Sequence, residues 1–400
     1  MTSLTKTHTK SVSQARPAAA AKAAARLVYL DTIRVVLIAL VIALHTAITY
    51  GASGDWTYED PAQTELSGIL LTFVTTMVQA FSLGLYFFIS GYFTPRSYDR
   101  KGIGAFWKDR LLRLGIPMLA YTFIFSIITR YAASIGNGQT AQSFWQYFGQ
   151  NFLREADEGP TWFIFALLVF LVGYTLWRLV TRAGKLEWIK QLGVPGRKEI
   201  LAFGALVSAL MFLIGLKSRI GDTVEVFGIF NLMTIFFAQY VLFFVAGILA
   251  YRNDWLARFD GKDLRFWAWL TAGLLLMMPV LFFLGGAAGG SVDVFIGGLH
   301  WQAAVFMLWI GLFSVSVSMT LILWLRDRKQ PQSRLMAFAG PNSYAVYLIH
   351  PLILVPLTVL FTPVTLDPLL KYVIVVPVVV GLCFLAAELL RRIPGMKTIL

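Results

Sequence analysis

The sequence predicts an all-α polytopic integral membrane protein with about ten transmembrane helices and both termini in the cytoplasm. Three observations predict it. Of 400 residues, 58% are hydrophobic and 14% charged, against roughly 25% charged in soluble domains. The apolar residues fall into ten runs, each near the ~20 residues that cross a bilayer. Lys and Arg gather in every second segment between runs, the asymmetry of the positive-inside rule. The net charge of +13 is therefore an orientation signal, and a nucleic-acid partner is excluded.

Residues 1–26 are rich in Ala, Thr and Lys, lack acidic residues, and read as a disordered cytoplasmic tail. The membrane unit is expected over 27–393, with 394–400 as a short cytoplasmic tail. Its ten runs are 27–50, 66–94, 111–135, 160–180, 199–216, 227–251, 265–286, 301–325, 342–362 and 370–391. The segments before the odd-numbered runs carry clusters such as Arg96, Arg100, Lys101, Lys108, Arg110 and Arg113, or Arg326, Arg328, Lys329 and Arg334. The segments before the even-numbered runs carry Asp55, Glu59, Asp60, Glu155, Asp157, Glu158 and Asp293 among others, which places them outside. The single cysteine, Cys383, lies inside a run and says nothing of redox compartment. No CxxC or HExxH pattern is present, and no metal is expected.

Run 1, RLVYLDTIRVVLIALVIALHTAITY, holds Asp31, Arg34 and His45. A membrane interior tolerates such residues only when they are paired or used. Asp31 and Arg34 stand at i and i+3, so they can pair on one face, and that pairing alone can account for their burial. Eleven steps at about 100° return His45 to the face of Arg34, three turns and roughly 16.5 Å further on. Arg34 then sits at the cytoplasmic edge and His45 toward the outer one.

Run 2 carries Thr72, Thr75, Thr76, Gln79 and Ser82 at helical spacing, a polar face suited to a cavity. Taken singly, each is expected to be the hydroxylated glue that joins membrane helices. In run 3, Arg110 and Arg113 put two guanidiniums on one face at the cytoplasmic boundary, a geometry for phosphate or carboxylate that topology alone would also supply. Pro117 should kink this run. Trp162 opens run 4, where Trp is ordinarily an interface anchor. Run 9 opens with Asn342, Ser343 and Tyr344 and carries His350 before Pro351, so it is expected to line the same cavity. His300 reads as interfacial, and Glu388 as the partner of Arg391 and Arg392 in a local ion pair.

In this order these stretches resemble the acyltransferase 3 family of membrane-bound acyltransferases, over nearly the whole chain after residue 26. Arg, ten residues and His in YLDTIRVVLIALVIALH match Arg34 to His45, and the Arg-x-x-Arg of DRLLRLGIP matches Arg110 and Arg113. FFISGYF, PTWFIFALL and NSYAVYLIHPL are also family-like, and SGYF with RLGIP looks closest to its glucan-modifying branch.

The resemblance implies transfer of an acyl group, usually acetyl and sometimes succinyl, from cytoplasmic acyl-CoA to a hydroxyl of a glycan or glycolipid acceptor at a bacterial inner membrane. A neutral imidazole such as His45 suits the removal of that hydroxyl proton. Arg34, Arg110 and Arg113 stand on the side from which the donor phosphates arrive. The ~16.5 Å between Arg34 and His45 would be a conduit for the pantetheine arm, with Tyr344, Asn342 or a backbone amide steadying the oxyanion. Transfer is expected to be direct rather than through an acyl-histidine. The rival reading, a lipid or sugar flippase, would more naturally show internal repeats and broken helices in both halves, and neither is found.

Overall fold

A computed structural model describes residues 9–181, 192–287, 292–328 and 333–400, with side chains from residue 28 onward. Lys329 and the first eight residues of the amino-terminal segment lie outside the described residues. The protein is 78% helical. Its helices are α1 (Thr9–Thr49), α2 (Glu65–Arg110), α3 (Ile116–Ala120), α4 (Ser126–Gly136), α5 (Phe144–Asn151), α6 (Trp162–Val180) and α7 (Arg197–Gly215). There follow α8 (Thr234–Arg252), α9 (Trp255–Arg258), α10 (Leu264–Leu284), α11 (Trp301–Asp327), α12 (Arg334–Phe361), α13 (Pro368–Arg392) and α14 (Met396–Ile399). A two-stranded antiparallel hairpin, β1 (Thr223–Val226) and β2 (Phe230–Met233), precedes α8.

Among the described residues, nine helical runs are long and apolar enough to cross a membrane. Nine of them carry ten expected spans because runs 2 and 3 lie on one 72-residue stretch, Glu65–Gly136. Its break is Gly102 (φ 72°, ψ 168°), a conformation that glycine adopts without the Cβ penalty. On one limb Asp99 accepts from Arg178 at 2.8 Å, and on the other Trp107 Nε1 donates to Thr175 Oγ1 at 3.2 Å. Both limbs therefore meet the same end of α6. The far end of the second limb, at Gly136, abuts Tyr58 in the loop that leads into α2, so the stretch doubles back on itself.

Two further differences from the expected runs have local causes. Run 6 was expected from residue 227, but the chain first makes the β1–β2 hairpin, whose turn holds Phe227 and Gly228 at positive φ, and α8 begins at Thr234. Around Pro117 the helix does not simply bend. It widens into π-helical turns at Leu111–Gly115 and Tyr121–Phe125, which rehouse backbone groups that a proline leaves unmatched.

Helices α1 and α11 are the most enclosed, with 61% and 72% of their apolar windows buried, against 22% for α10 and 28% for α13. The outward side chains of α10 include Leu276, Phe283 and Leu284, a rim of exposed apolar residues that suits lipid contact. Helices α2 and α8 cross where Gly91 meets the Phe244 carbonyl and Gly247 meets the Phe88 carbonyl. A Cβ there would stand 2.1 and 2.0 Å from those oxygens, so only glycine permits this crossing.

The loop between α1 and α2 is held by charge. Lys371 Nζ donates to Asp60 Oδ2 at 2.8 Å, and both side chains are 1% exposed. Breaking a buried pair from one side leaves an unmatched charge, which costs about 3–5 kcal/mol. Lys371→Met is therefore expected to lower the thermal midpoint in detergent, and adding Asp60→Asn should restore most of the loss. A single variant as stable as the wild type would show that the pair contributes nothing.

Candidate functional site

A cavity of about 2370 Å³ runs inside the bundle and is lined by residues from both ends of the membrane-length part of α1, Val28–Thr49. Asp31, Arg34, Val41, Leu44, His45 and Ile48 form its α1 stripe, the face that helical spacing predicts for Arg34 and His45. Thr72, Thr75, Thr76, Gln79 and Ser82 all line it too. The expectation that each is interhelical glue holds in part: Gln79 Nε2 reaches Met233 Sδ at 3.8 Å and Thr72 Oγ1 accepts from Ser53 N at 2.8 Å, whereas Thr75 Oγ1 donates locally to the Thr72 carbonyl at 3.0 Å, and all five residues line the cavity.

One mouth is basic. Arg34 Nη1 meets Asp31 Oδ1 at 3.1 Å, the i,i+3 pair expected from the sequence, and its guanidinium lies 4.7 Å over the Phe93 ring. Arg113 Nε meets Asp109 at 3.4 Å. Arg110 lies over Phe106 at 5.2 Å. Gly340, Pro341, Ser343 and Tyr344 of α12, Arg391 of α13 and Lys397 of α14 also line this mouth. Tyr344 donates its hydroxyl to the Arg113 carbonyl, which ties α12 to the Arg-x-x-Arg turn. Asn342 lies just behind the wall, 1% exposed, with Nδ2 donating to the Phe338 carbonyl at 2.8 Å and to Glu388 at 3.1 Å. Both side chains suggested for the oxyanion are thus committed here. They precede His350 by six and eight residues, about 9–12 Å along α12.

The other end of the α1 stripe holds a histidine pair. His45 Nδ1 stands 3.0 Å from His350 Nε2, with the rings 3° from coplanar orientation and 5.1 Å apart. His350 was expected to line the cavity. It is instead fully buried behind His45, because α12 presents it to α1 rather than to the open face. The cause is local. Pro351 has no N–H to give the Tyr347 carbonyl four residues back, and that carbonyl takes the Nδ1–H of His350 at 2.7 Å. A carbonyl only accepts, so in the neutral pair His350 carries its proton on Nδ1 and accepts at Nε2. His45 must then donate from Nδ1, which leaves His45 Nε2 with a free lone pair.

Trp56, unremarked in the sequence, stacks on His45 with ring centres 4.0 Å apart and planes 11° apart. It arrives on the loop pinned by Asp60 and Lys371, and its buried Nε1 has no hydrogen-bond partner among the described residues. Nothing in the local sequence signals this residue, because the contact is set by the loop's anchors. Trp162 lines the cavity and packs 5.9 Å from the Tyr240 ring, so it points inward rather than to an interface. At the mouth beyond Trp56, Arg130 pairs with Glu155 at 3.3 Å and with Asp157. Glu158, 5% exposed, accepts from both Asn231 N and Nδ2 at 2.9 Å, and burial pushes its carboxyl above the usual carboxylate range. His300 is exposed and away from this cavity. Among the described residues no group of three or more His, Cys, Asp or Glu could hold a metal ion.

A bundle of apolar helices around a cavity of mixed polar and apolar lining, with clustered arginines at one end and an oriented histidine pair further in, has the build of an integral-membrane group-transfer enzyme. The chain belongs to the acyltransferase 3 family, whose model, described as an acyltransferase domain, matches residues 27–388. It is an acyltransferase. Among curated proteins it is similar to glucans biosynthesis protein C of Salmonella schwarzengrund, 25% identical over 390 residues, 92% of this chain and 93% of the relative. Proteins of the same name from Salmonella typhi and Salmonella typhimurium match at the same identity and coverage. No solved structure matches.

Proposed function

We propose that this membrane acyltransferase moves an acetyl or succinyl group from acyl-CoA, entering at the cytoplasmic side, to a hydroxyl of a sugar-containing acceptor, with the glucan of its relatives' name as the leading class. The catalytic unit would be residues 27–393, with both termini in the cytoplasm of a bacterial cell and the protein in its inner membrane. The observation that carries this reading is the single cavity joining the basic mouth to the His45–His350 pair.

In this reading Arg34, Arg110 and Arg113 hold the donor phosphates, with guanidinium forks that match phosphate oxygens. The pantetheine arm lies along the α1 stripe, whose length of about 16.5 Å sets the thioester beside His45. His45 Nε2 takes the proton of the acceptor hydroxyl as that oxygen attacks the thioester carbon. The C–S bond then breaks, and the thiolate leaves with the proton returned by His45. His350 keeps the base in the tautomer that has Nε2 free. Trp56, stacked on the His45 ring, holds the plane of the base, and the donors of Asn342 and Tyr344 are engaged elsewhere. Asp31 holds Arg34, Tyr344 braces the Arg113 turn, and Ser343 and Trp162 shape the wall.

The test is a reconstituted preparation given labelled acyl-CoA and glucose oligomers. Thiol should be released in step with label appearing in the glycan. Absence of thiol release and of label in the glycan would overturn this choice of donor and acceptor.

A further inference from the structure

The basic mouth contains more positive charge than its own carboxylates neutralise. Arg34 is paired with Asp31, and Arg113 with Asp109. Arg110 and Arg391 both line the cavity and have no carboxylate within ion-pair distance among the described residues. The Nε atom of each is buried with no acceptor among the described residues.

Local sequence argues otherwise for Arg391, since Glu388 precedes it by three residues on the same helix. In the folded protein Glu388 turns to Arg392, at 3.2 Å, and to Asn342 Nδ2, at 3.1 Å. Asn342, so fixed, presents Oδ1 to Arg391 Nη1 at 2.9 Å. A neutral amide oxygen thus aims the guanidinium without cancelling its charge. A guanidinium without a direct ion pair and with a buried, unmatched N–H is costly unless an anion completes it. A ligand with several phosphate oxygens meets both needs, because a planar fork takes two of them at once.

We propose that Arg391, oriented by Asn342 and Glu388, is a donor-binding residue that acts with Arg110 on the phosphate groups of a nucleotide thioester. This rests on acyl-CoA being the donor. The test compares acetyl-CoA with acetyl-pantetheine, which keeps the thioester and lacks every phosphate, using reconstituted protein and thiol release. Wild type should show the lower KM for acetyl-CoA. Arg391→Ala should raise that KM about tenfold or more while leaving the constant for acetyl-pantetheine unchanged, and Arg391→Lys should recover only part of it. Arg391→Gln, which keeps an amide donor toward Asn342, provides the same comparison if the alanine variant fails to fold.

A KM for acetyl-CoA that stays at the wild-type value, or one that rises equally for both thioesters, would overturn the proposal by leaving Arg391 a structural residue. Those results in a protein whose wild type still prefers acetyl-CoA would spare the donor reading. A wild type indifferent to the phosphates would overturn both.

Discussion

Replacing His45 by alanine is expected to lower acyl transfer by 10²-fold or more, within the ~10² to 10⁴ that a positioned base contributes. The expected loss lies in turnover, because Arg34 stands about 16.5 Å away along α1, Arg110 and Arg113 belong to other segments, and all three are untouched. Folding should survive, since a half-buried imidazole is replaced by a small apolar residue in an apolar helix. Thiol release and thermal stability in detergent, measured on one preparation, separate the two effects. Wild-type turnover in the variant would remove His45 from the mechanism, and loss of activity matched by loss of folding would make it a structural residue. Rapid quench with labelled donor and no acceptor adds the second half of the question. Direct transfer predicts no burst, whereas a stoichiometric burst with label kept on His45 would reveal an acyl-histidine.

His350→Phe is the second large effect. Phenylalanine fills a similar volume but cannot accept from His45 Nδ1, so the base loses the bond that keeps Nε2 unprotonated and aimed. A base left in the wrong tautomer should turn over on the order of 10²-fold more slowly, with little change in the KM for donor. His350→Gln can place an amide oxygen toward His45 and should recover part of the rate. Because His350 is fully buried and does not line the cavity, a purely structural role would predict equal damage from Phe and Gln and a matching drop in stability. Full activity in the Phe variant would show that the pair is incidental.

Much of this was legible in the chain before folding. Backbone groups inside lipid must be satisfied within the segment, so a long apolar run has little choice but helix. The helical period then decides that Arg34 and His45 share a face, that Asp31 can reach Arg34, and that the five polar residues of run 2 lie on one side. These conclusions need only local geometry, and the cavity lining agrees with them. The histidine preceding Pro351 also carried a local signal, since a proline always frees the carbonyl four residues before it.

Tertiary structure alone decided which groups met. His350 stands 305 residues from His45 and could have faced the cavity or the bundle interior; packing of α12 on α1 set the rings 3.0 Å apart at their nitrogens. Trp56 reaches His45 because Asp60 finds Lys371 across the fold, a pairing with no sequence period to reveal it. Glu388 had Arg391 and Arg392 within one turn, and helical spacing could not choose between them. Asn342, brought in by α12, donates its amide N–H to Glu388 and accepts from Arg391, which lines the cavity. Periodicity fixes where a side chain points around its own axis. The partner it finds there depends on the rotation and depth of the neighbouring helix, which is set by the close packing of the whole bundle.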